Sequence, residues 1–389
     1  CLLEGWKHVL RNCLLVIDYN RQSLDSVVSD TLFLKHAEVF ASMGWDVVFL
    51  KYGRLLRAVF EEPGGEAIRR WIDDCPNMLY SALTFQGGAA FRNQLKADLS
   101  TDRDALAIVE RHDDDELHRL MTNLGGHCME TVVEAFESAA TDRPVCFIAY
   151  TIKGKGLPFQ GHKDNHAGLM TKAQMAAFQD RMGILEGEEW EPFAGLNVDR
   201  RALREKLAAV PFNAKGPRRR KAPRIEVPPL PWPAVRGAVS TQEGFGKILG
   251  EIAKTDTALA GRIVTASPDV TVSTNLGAWV NARALFSRDP RSDVFQDMKL
   301  MSAQRWHGGP EGQHFELGIA ENNLFLLLAA LGLSHSVFGE RLIPVGTLYD
   351  PFIQRGLDAL NYACYQDARF LLVATPSGIS LAPEGGAHQ

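Results

Sequence analysis

Five short stretches of this 389-residue sequence gather side chains of the kinds that chemistry uses. In DYNRQSLD, residues 18–25, Asn20 and Gln22 stand two apart and offer the oxygen donors that Mg²⁺ favours. The same residue types are common turn formers, so this stretch alone reads equally well as a plain loop. In TIKGKGLPFQGHKDNHAGLM, residues 151–170, glycines lead into a loop that holds His162, Lys163, Asp164, Asn165 and His166. Glycine admits close backbone approach of a ligand, and histidine donates to anions or moves protons; a solvated polar loop is the competing reading. In HFELGIAENNLFLLLAALGLS, residues 314–334, Glu321 opens a strongly apolar run. It is either a charge at a helix N-terminus or a buried acid of raised pKa poised to protonate a ring nitrogen. In GTLYDPFIQRGLDAL, residues 346–360, Tyr349 and Phe352 flank a proline, either as core or as a platform for a planar ring. In LAPEGGAHQ, His388 follows two glycines, where a lone histidine is ordinarily structural or solvated.

These residues need elements to place them. The apolar run Cys13–Asp18 reads as a buried strand, LFLKHAEVFASMG as a helix ended by Gly44, and WDVVFLKYG as a second strand. A helix over about Met129–Ala140 and a strand in DRPVCFIAYTIKG follow. Strands alternating with helices predict a doubly wound, mostly parallel α/β sheet, which binds ligands at the carboxyl ends of its strands. Residues 211–233 hold seven prolines and a basic run from Arg218 to Lys221, which no helix or central strand tolerates. A Pro-rich basic linker is therefore expected over 201–235, between domains at 1–200 and 236–389. Beyond it the alternation resumes: a helix over Thr241–Lys254, a strand ending at Ser267, a helix over Glu321–Leu331, the strand RLIPVG, a helix through Leu360 and the strand RFLLVAT.

Composition limits the function classes. Asp and Glu total 47 against 42 Lys and Arg, a formal charge of -5, which argues against a general nucleic-acid binder. No apolar run reaches the roughly 18 residues of a membrane helix. The six cysteines are scattered without ligand-like spacing and read as reduced thiols, suiting the cytoplasm. No G-x-G-x-x-G sits in a βαβ turn, which disfavours a nicotinamide dehydrogenase. The chain starts at Cys1 and stops at Gln389 with no closing helix, so a fragment of a longer protein is expected.

Taken in order, the motifs resemble the thiamine-diphosphate-dependent superfamily of transketolase, deoxyxylulose-phosphate synthase and the decarboxylating component of pyruvate dehydrogenase. The resemblance spans nearly the whole chain, with the diphosphate-binding domain first and the pyrimidine-binding domain second. It implies thiamine diphosphate and Mg²⁺ as cofactors. Asn20 falls on the family's magnesium-ligating Asn and Gln22 on the following ligand position, both beside the diphosphate, with His162 nearby as a cofactor contact. GIAE places Glu321 on the glutamate that contacts the aminopyrimidine and holds its N1′ proton. YDPFIQR resembles Y-x-x-F-x-Q-R, so Phe352 becomes the partner that stacks on the pyrimidine, with Tyr349 beside it. His166 and His388 fall near loop histidines that bind substrate and transfer protons.

The sequence also departs from the pattern. The upstream G-D-G magnesium motif is absent, so the fragment alone is expected to bind metal and cofactor poorly. The usual G-H-D segment appears as GGHC, with Cys128 where a helix-capping carboxylate belongs. The resemblance implies a third domain after the second, expected to lie outside this fragment. The family implies a homodimer with the cofactor at the subunit interface. Asn20-x-Gln22 and HKDNHAGLM favour decarboxylation of a pyruvate-like 2-oxo acid with transfer toward a lipoyl-bearing acyltransferase. ASPDVTVS at 266–273 and EGGAHQ favour ketol transfer between sugar phosphates, with Arg283, Arg288 and Arg355 as candidate phosphate ligands. A non-catalytic, dimerising copy is the reading from another class.

Overall fold

A computed structural model describes residues 2–24, 26–139, 142–213, 216–230, 233–234 and 236–375. The chain divides into two compact units, Leu2–Asn213 and Ala214–Gln389.

The first unit is built on a three-stranded parallel sheet, β1 (Leu14–Tyr19), β2 (Asp46–Leu50) and β3 (Val145–Tyr150), in the order β1-β3-β2. The central strand VCFIAY is buried at all six positions, because a central parallel strand is covered on both faces. Alternation splits its side chains. Cys146, Ile148 and Tyr150 join Tyr19, Phe40 and a large helical layer, while Val145, Phe147 and Ala149 meet Val132 and Ala135 of the helix Met129–Glu137. That helical layer comes from Arg54–Phe60, Gly65–Asp74, Asn77–Gln86, Gly88–Asp98, Arg103–Arg111 and Asp114–Met121, which lie between β2 and that helix.

Among the described residues, the second unit carries six parallel strands: β4 (Ile263–Ser267), β5 (Leu285–Phe286), β6 (Gly308–Gly309), β7 (His314–Glu316), β8 (Ile343–Tyr349) and β9 (Leu371–Thr375). Their order is β6-β5-β7-β4-β8-β9. Both faces are covered. Leu249, Ile252, Trp279 and Val280, from helices Thr241–Ala253 and Gly277–Arg283, pack on Ile263 and Val345. Leu324, Phe325, Leu328 and Ala359, from helices Glu321–Gly332 and Leu357–Tyr365, pack on Ala266 and Leu348. The helix Glu321–Gly332 sits close to β8 because residue 346 is glycine: a Cβ there would meet Leu328 Cδ1 at 2.5 Å.

The expected α/β class, parallel pairing and main elements are observed, with strand and helix ends displaced by one to a few residues. The stretch expected as a Pro-rich basic linker carries local structure of its own. The helix Arg200–Ala209, capped by Asp199, occupies its beginning. Further on, Arg220 N donates to Ser336 O (2.7 Å), Ala222 N donates to His335 O (3.1 Å), and Ile225 and Leu230 pack on the second unit's core. The prolines deny this segment a helix, yet two of its amides and the side chains of Ile225 and Leu230 find partners. Among the described residues, no helix is long and apolar enough to cross a membrane.

Phe325 is wholly buried, so Phe325→Ala is expected to destabilise this unit by about 3–5 kcal/mol. Met301, fully exposed, serves as the control; Met301→Ala should stay within about 0.5 kcal/mol. Urea unfolding of the chain measures both.

Candidate functional site

In a parallel sheet the loops at the carboxyl ends of the strands form the natural ligand edge. In the second unit that edge presents residues 268–276 after β4, 317–320 after β7 and the 3₁₀ turn Asp350–Gly356 after β8. Glu321 begins the helix that follows β7 and is only 6% exposed. A carboxylate at that position complements the unpaired amides of the helix N-terminus, where no side chain of Ala320 caps them. Burial still leaves the charge in need of a partner, and Arg355 supplies one: its Nη1 donates to Glu321 Oε1 at 2.9 Å. The same guanidinium lies 3.8 Å from the centre of the Phe352 ring. One cation thus bridges a buried carboxylate and a buried aromatic face. Tyr349 tilts against Phe352 with ring centres 5.9 Å apart, and its hydroxyl donates to Ser273 Oγ at 2.7 Å. The closeness of turn and helix again depends on a glycine: a Cβ on Gly356 would stand 2.2 Å from Phe325 Cδ2 and 3.1 Å from Glu321 O.

Both alternatives raised for Glu321 are therefore partly met, since it is a helix N-terminal charge and it is buried. The unanticipated part is its pairing with Arg355, one of three candidates for a substrate phosphate. A second candidate is corrected outright. The Arg283 guanidinium donates to Ala253 O at 2.9 Å, Thr255 O at 2.5 Å and Gln313 Oε1 at 3.3 Å, which fixes it as a structural tie.

In the first unit, the loop after β1 folds against the loop after β3. Asn20 Oδ1 accepts from Gln22 N at 3.0 Å, while Gln22 Nε2 donates to Gly161 O at 2.9 Å. Lys153 Nζ reaches Ser23 O at 2.7 Å, and Thr151 hydrogen-bonds to Asp18. Gln22 is thus tied to the 151–170 loop, and Asn20 lines the same small void as residues 151–153 and Gly161. His162 belongs to the same neighbourhood, its ring edge-on to Phe85 at 4.6 Å and its Nδ1 accepting from Asp164 N at 3.1 Å. His166 is exposed and makes no hydrogen bond among the described residues. His388 lies outside the described residues.

Sequence reading passed over three neighbours. Arg21 is 5% exposed and lies 4.1 Å from the ring centre of Tyr80 and 5.1 Å from that of Tyr150. His127 Nε2 accepts from Ile152 N at 2.8 Å; burial and then Lys155 hold its pKa below the usual histidine value. Burial likewise lowers the pKa of Lys155. Only the G-G-H spacing at 125–127 marked any of them beforehand. Cys128 precedes the helix Met129–Glu137 without a side-chain cap, in keeping with the loss read from GGHC; its Sγ accepts from Arg54 N at 3.4 Å.

Gln22 Oε1 is buried and borders a small void that the Arg21 side chain also lines. A cation placed there faces a guanidinium. Among the described residues, no group of three or more His, Cys, Asp or Glu could hold a metal ion. The residues present do not by themselves make a Mg²⁺ site.

No protein-family profile matches the chain. It is similar to the pyruvate dehydrogenase E1 component of Corynebacterium glutamicum, 29% identical over 410 aligned positions that cover 97% of this chain and 43% of that protein. The pyruvate dehydrogenase E1 component of Mycolicibacterium smegmatis is 25% identical over 418 positions, covering 97% of this chain and 42% of its own length. The chain thus spans less than half of the curated relatives it matches. Solved structures with a similar trace include the transketolase of Leishmania mexicana, with a TM-score of 0.49, 15% identity, and coverage of 100% of this chain and 46% of that one. Another is the transketolase of Campylobacter jejuni, with a TM-score of 0.48, 14% identity and the same coverage.

A double-mutant cycle with Glu321→Gln and Arg355→Met should give a coupling energy of about 1–3 kcal/mol in urea unfolding, as expected for a carboxylate buried on one side of the pair. Additive single effects would contradict the bridging role of Arg355.

Proposed function

We propose, from the similarity of this chain to two pyruvate dehydrogenase E1 components, that its parent protein is a thiamine-diphosphate-dependent enzyme acting on a 2-oxo acid of the pyruvate kind. The observation that carries the reading is the grouping of Glu321, Phe352 and Arg355 at the carboxyl edge of one parallel sheet. That donor set suits an aminopyrimidine, which needs an acid at a ring nitrogen and an aromatic face to lie on. When bound, thiamine diphosphate supplies a nucleophilic carbon and the electron sink for decarboxylation. Glu321 holds the proton at pyrimidine N1′, and its burial keeps water from competing for that proton. Phe352 takes the ring face, with Tyr349 holding Phe352 in place. Arg355 sets the carboxylate's position.

Asn20, Gln22 and His162 of the first unit are proposed as the residues that would contact the diphosphate of such a cofactor. Asn20 and Gln22 are proposed as two oxygen donors of a magnesium site; since the residues present do not complete one, no step is derived through the metal. His166 and His388 are assigned to substrate binding and proton transfer. Decarboxylation, followed by acyl transfer to a lipoyl-bearing acyltransferase, is preferred to ketol transfer for two reasons. Both curated relatives are named as pyruvate dehydrogenase E1 components, and the Arg283 guanidinium is already committed to backbone and Gln313. The parent is proposed to be a cytoplasmic homodimer.

The test uses the full-length parent with thiamine diphosphate and Mg²⁺. Pyruvate-dependent reduction of an artificial electron acceptor is expected, and cleavage of xylulose 5-phosphate is not. Glu321→Gln should lower that rate by at least about a hundredfold, in line with the loss of a positioned acid. Activity on the sugar phosphate alone would replace this reading with ketol transfer.

A further inference from the structure

Three buried polar side chains and one half-buried carboxylate in the second unit form a chain that the proposed chemistry does not use. His314, on β7, has no solvent exposure. Its Nδ1 is 2.7 Å from Thr265 Oγ1 on β4, and its Nε2 is 2.9 Å from Thr271 Oγ1 in the loop after β4. Thr271 Oγ1 lies 2.6 Å from Glu316 Oε2. The other carboxylate oxygen, Oε1, accepts from Asp269 N at 2.8 Å and from Gly318 N at 3.3 Å.

The direction of this chain follows from donor chemistry. An ionised carboxylate only accepts, so the Thr271 hydroxyl donates to Glu316. Thr271 Oγ1 is then an acceptor toward His314, whose Nε2 must carry the proton. Nδ1 in turn accepts from the Thr265 hydroxyl. The ring is the neutral Nε2–H imidazole when Thr265 donates to Nδ1 at 2.7 Å and not to its more distant acceptor, Gln313 O, at 3.4 Å. Burial favours the same form, lowering the His314 pKa against the opposing pull of Glu316. Burial also raises the Glu316 pKa, but the His314 ring, the Thr271 hydroxyl and the Asp269 amide outweigh it and leave the carboxyl below its usual range.

The far end of the chain holds backbone at two places. Asp269 has φ 65°, in the left-handed region that an aspartate adopts at a cost, and its amide is fixed by Glu316. Gly318 lies in the turn three residues before Glu321. We infer that Glu316 is a positioning residue, which locks the 268–276 loop and the turn before Glu321 to each other through a one-directional hydrogen-bond chain anchored on buried His314. Its bearing on the cofactor rests on the reading of Glu321 given above; the chain itself does not.

Replacing Glu316 with Gln makes a sharp prediction. The amide oxygen is needed by Asp269 N and Gly318 N, so its NH₂ faces Thr271 and donates. Thr271 must then donate to His314 Nε2, and the imidazole proton moves to Nδ1. Nitrogen NMR of the ¹⁵N-histidine-labelled chain reads the tautomer, with His314 assigned from its loss in His314→Gln. The expected result is Nε2–H in the wild type and Nδ1–H in Glu316→Gln. Thr271→Ser should keep the wild-type tautomer and Thr271→Val should lose it, which decides the matter even where Glu316→Gln fails to fold. An Nδ1–H wild type, or an unchanged tautomer in folded Glu316→Gln, overturns the inference. In the full-length parent, calorimetry with thiamine diphosphate should show at least about tenfold weaker binding for Glu316→Ala and recovery to within about threefold for Glu316→Gln. Full affinity in Glu316→Ala overturns the positioning role. A wild-type parent that binds no thiamine diphosphate sinks the cofactor reading, and the NMR result then decides the chain by itself.

Discussion

A carboxylate placed at the buried start of an apolar helix has to be compensated, and the second unit is arranged around that requirement at Glu321. Helix Glu321–Gly332 is driven into the sheet by Leu324, Phe325 and Leu328, which carry no solvent exposure, so its first residue is drawn inward with them. The helix N-terminus answers part of the charge and Arg355 answers more. Arg355 is available because β8 brings the chain back beside β4 and its 3₁₀ turn packs over Phe325. Phe352 then lies under the guanidinium as a direct result of that turn. Acid, cation and ring are thus one packing solution, and the proposed chemistry uses what the packing provides.

The strands that were legible beforehand are those written as long apolar runs, such as VCFIAY and LIPVG, where burial on both faces leaves little ambiguity. Strands β5, β6 and β7 have only two or three residues each and leave no periodic trace. The helical layer between residues 54 and 121 escaped notice for a related reason: its helices run seven to eleven residues and are cut apart by Gly, Pro and Asp. At that length a 3.6-residue pattern completes only two or three turns. The segment expected to be a solvated linker misled through its prolines, which exclude regular structure without excluding attachment.

The candidate site divides in the same way. Glu321 stood out because an acid at the head of an apolar run is visible in one window of sequence. Its bond to Arg355 joins positions 34 apart and depends on a strand return, which no local pattern encodes. Arg283 shows the converse: a cation with the right charge for a phosphate proves to be tied to two carbonyls and an amide oxygen. Arg21, between the two candidate metal ligands, turns inward onto Tyr80 and Tyr150, a placement that its own charge does not announce in the sequence.

The most direct measurement is a crystal structure of the full-length parent with thiamine diphosphate bound. The account requires pyrimidine N1′ within about 2.6–3.2 Å of a Glu321 carboxylate oxygen and the ring lying on Phe352. A cofactor bound elsewhere, with Glu321 paired to Arg355 as before and the Phe352 face still covered by the guanidinium, would contradict it.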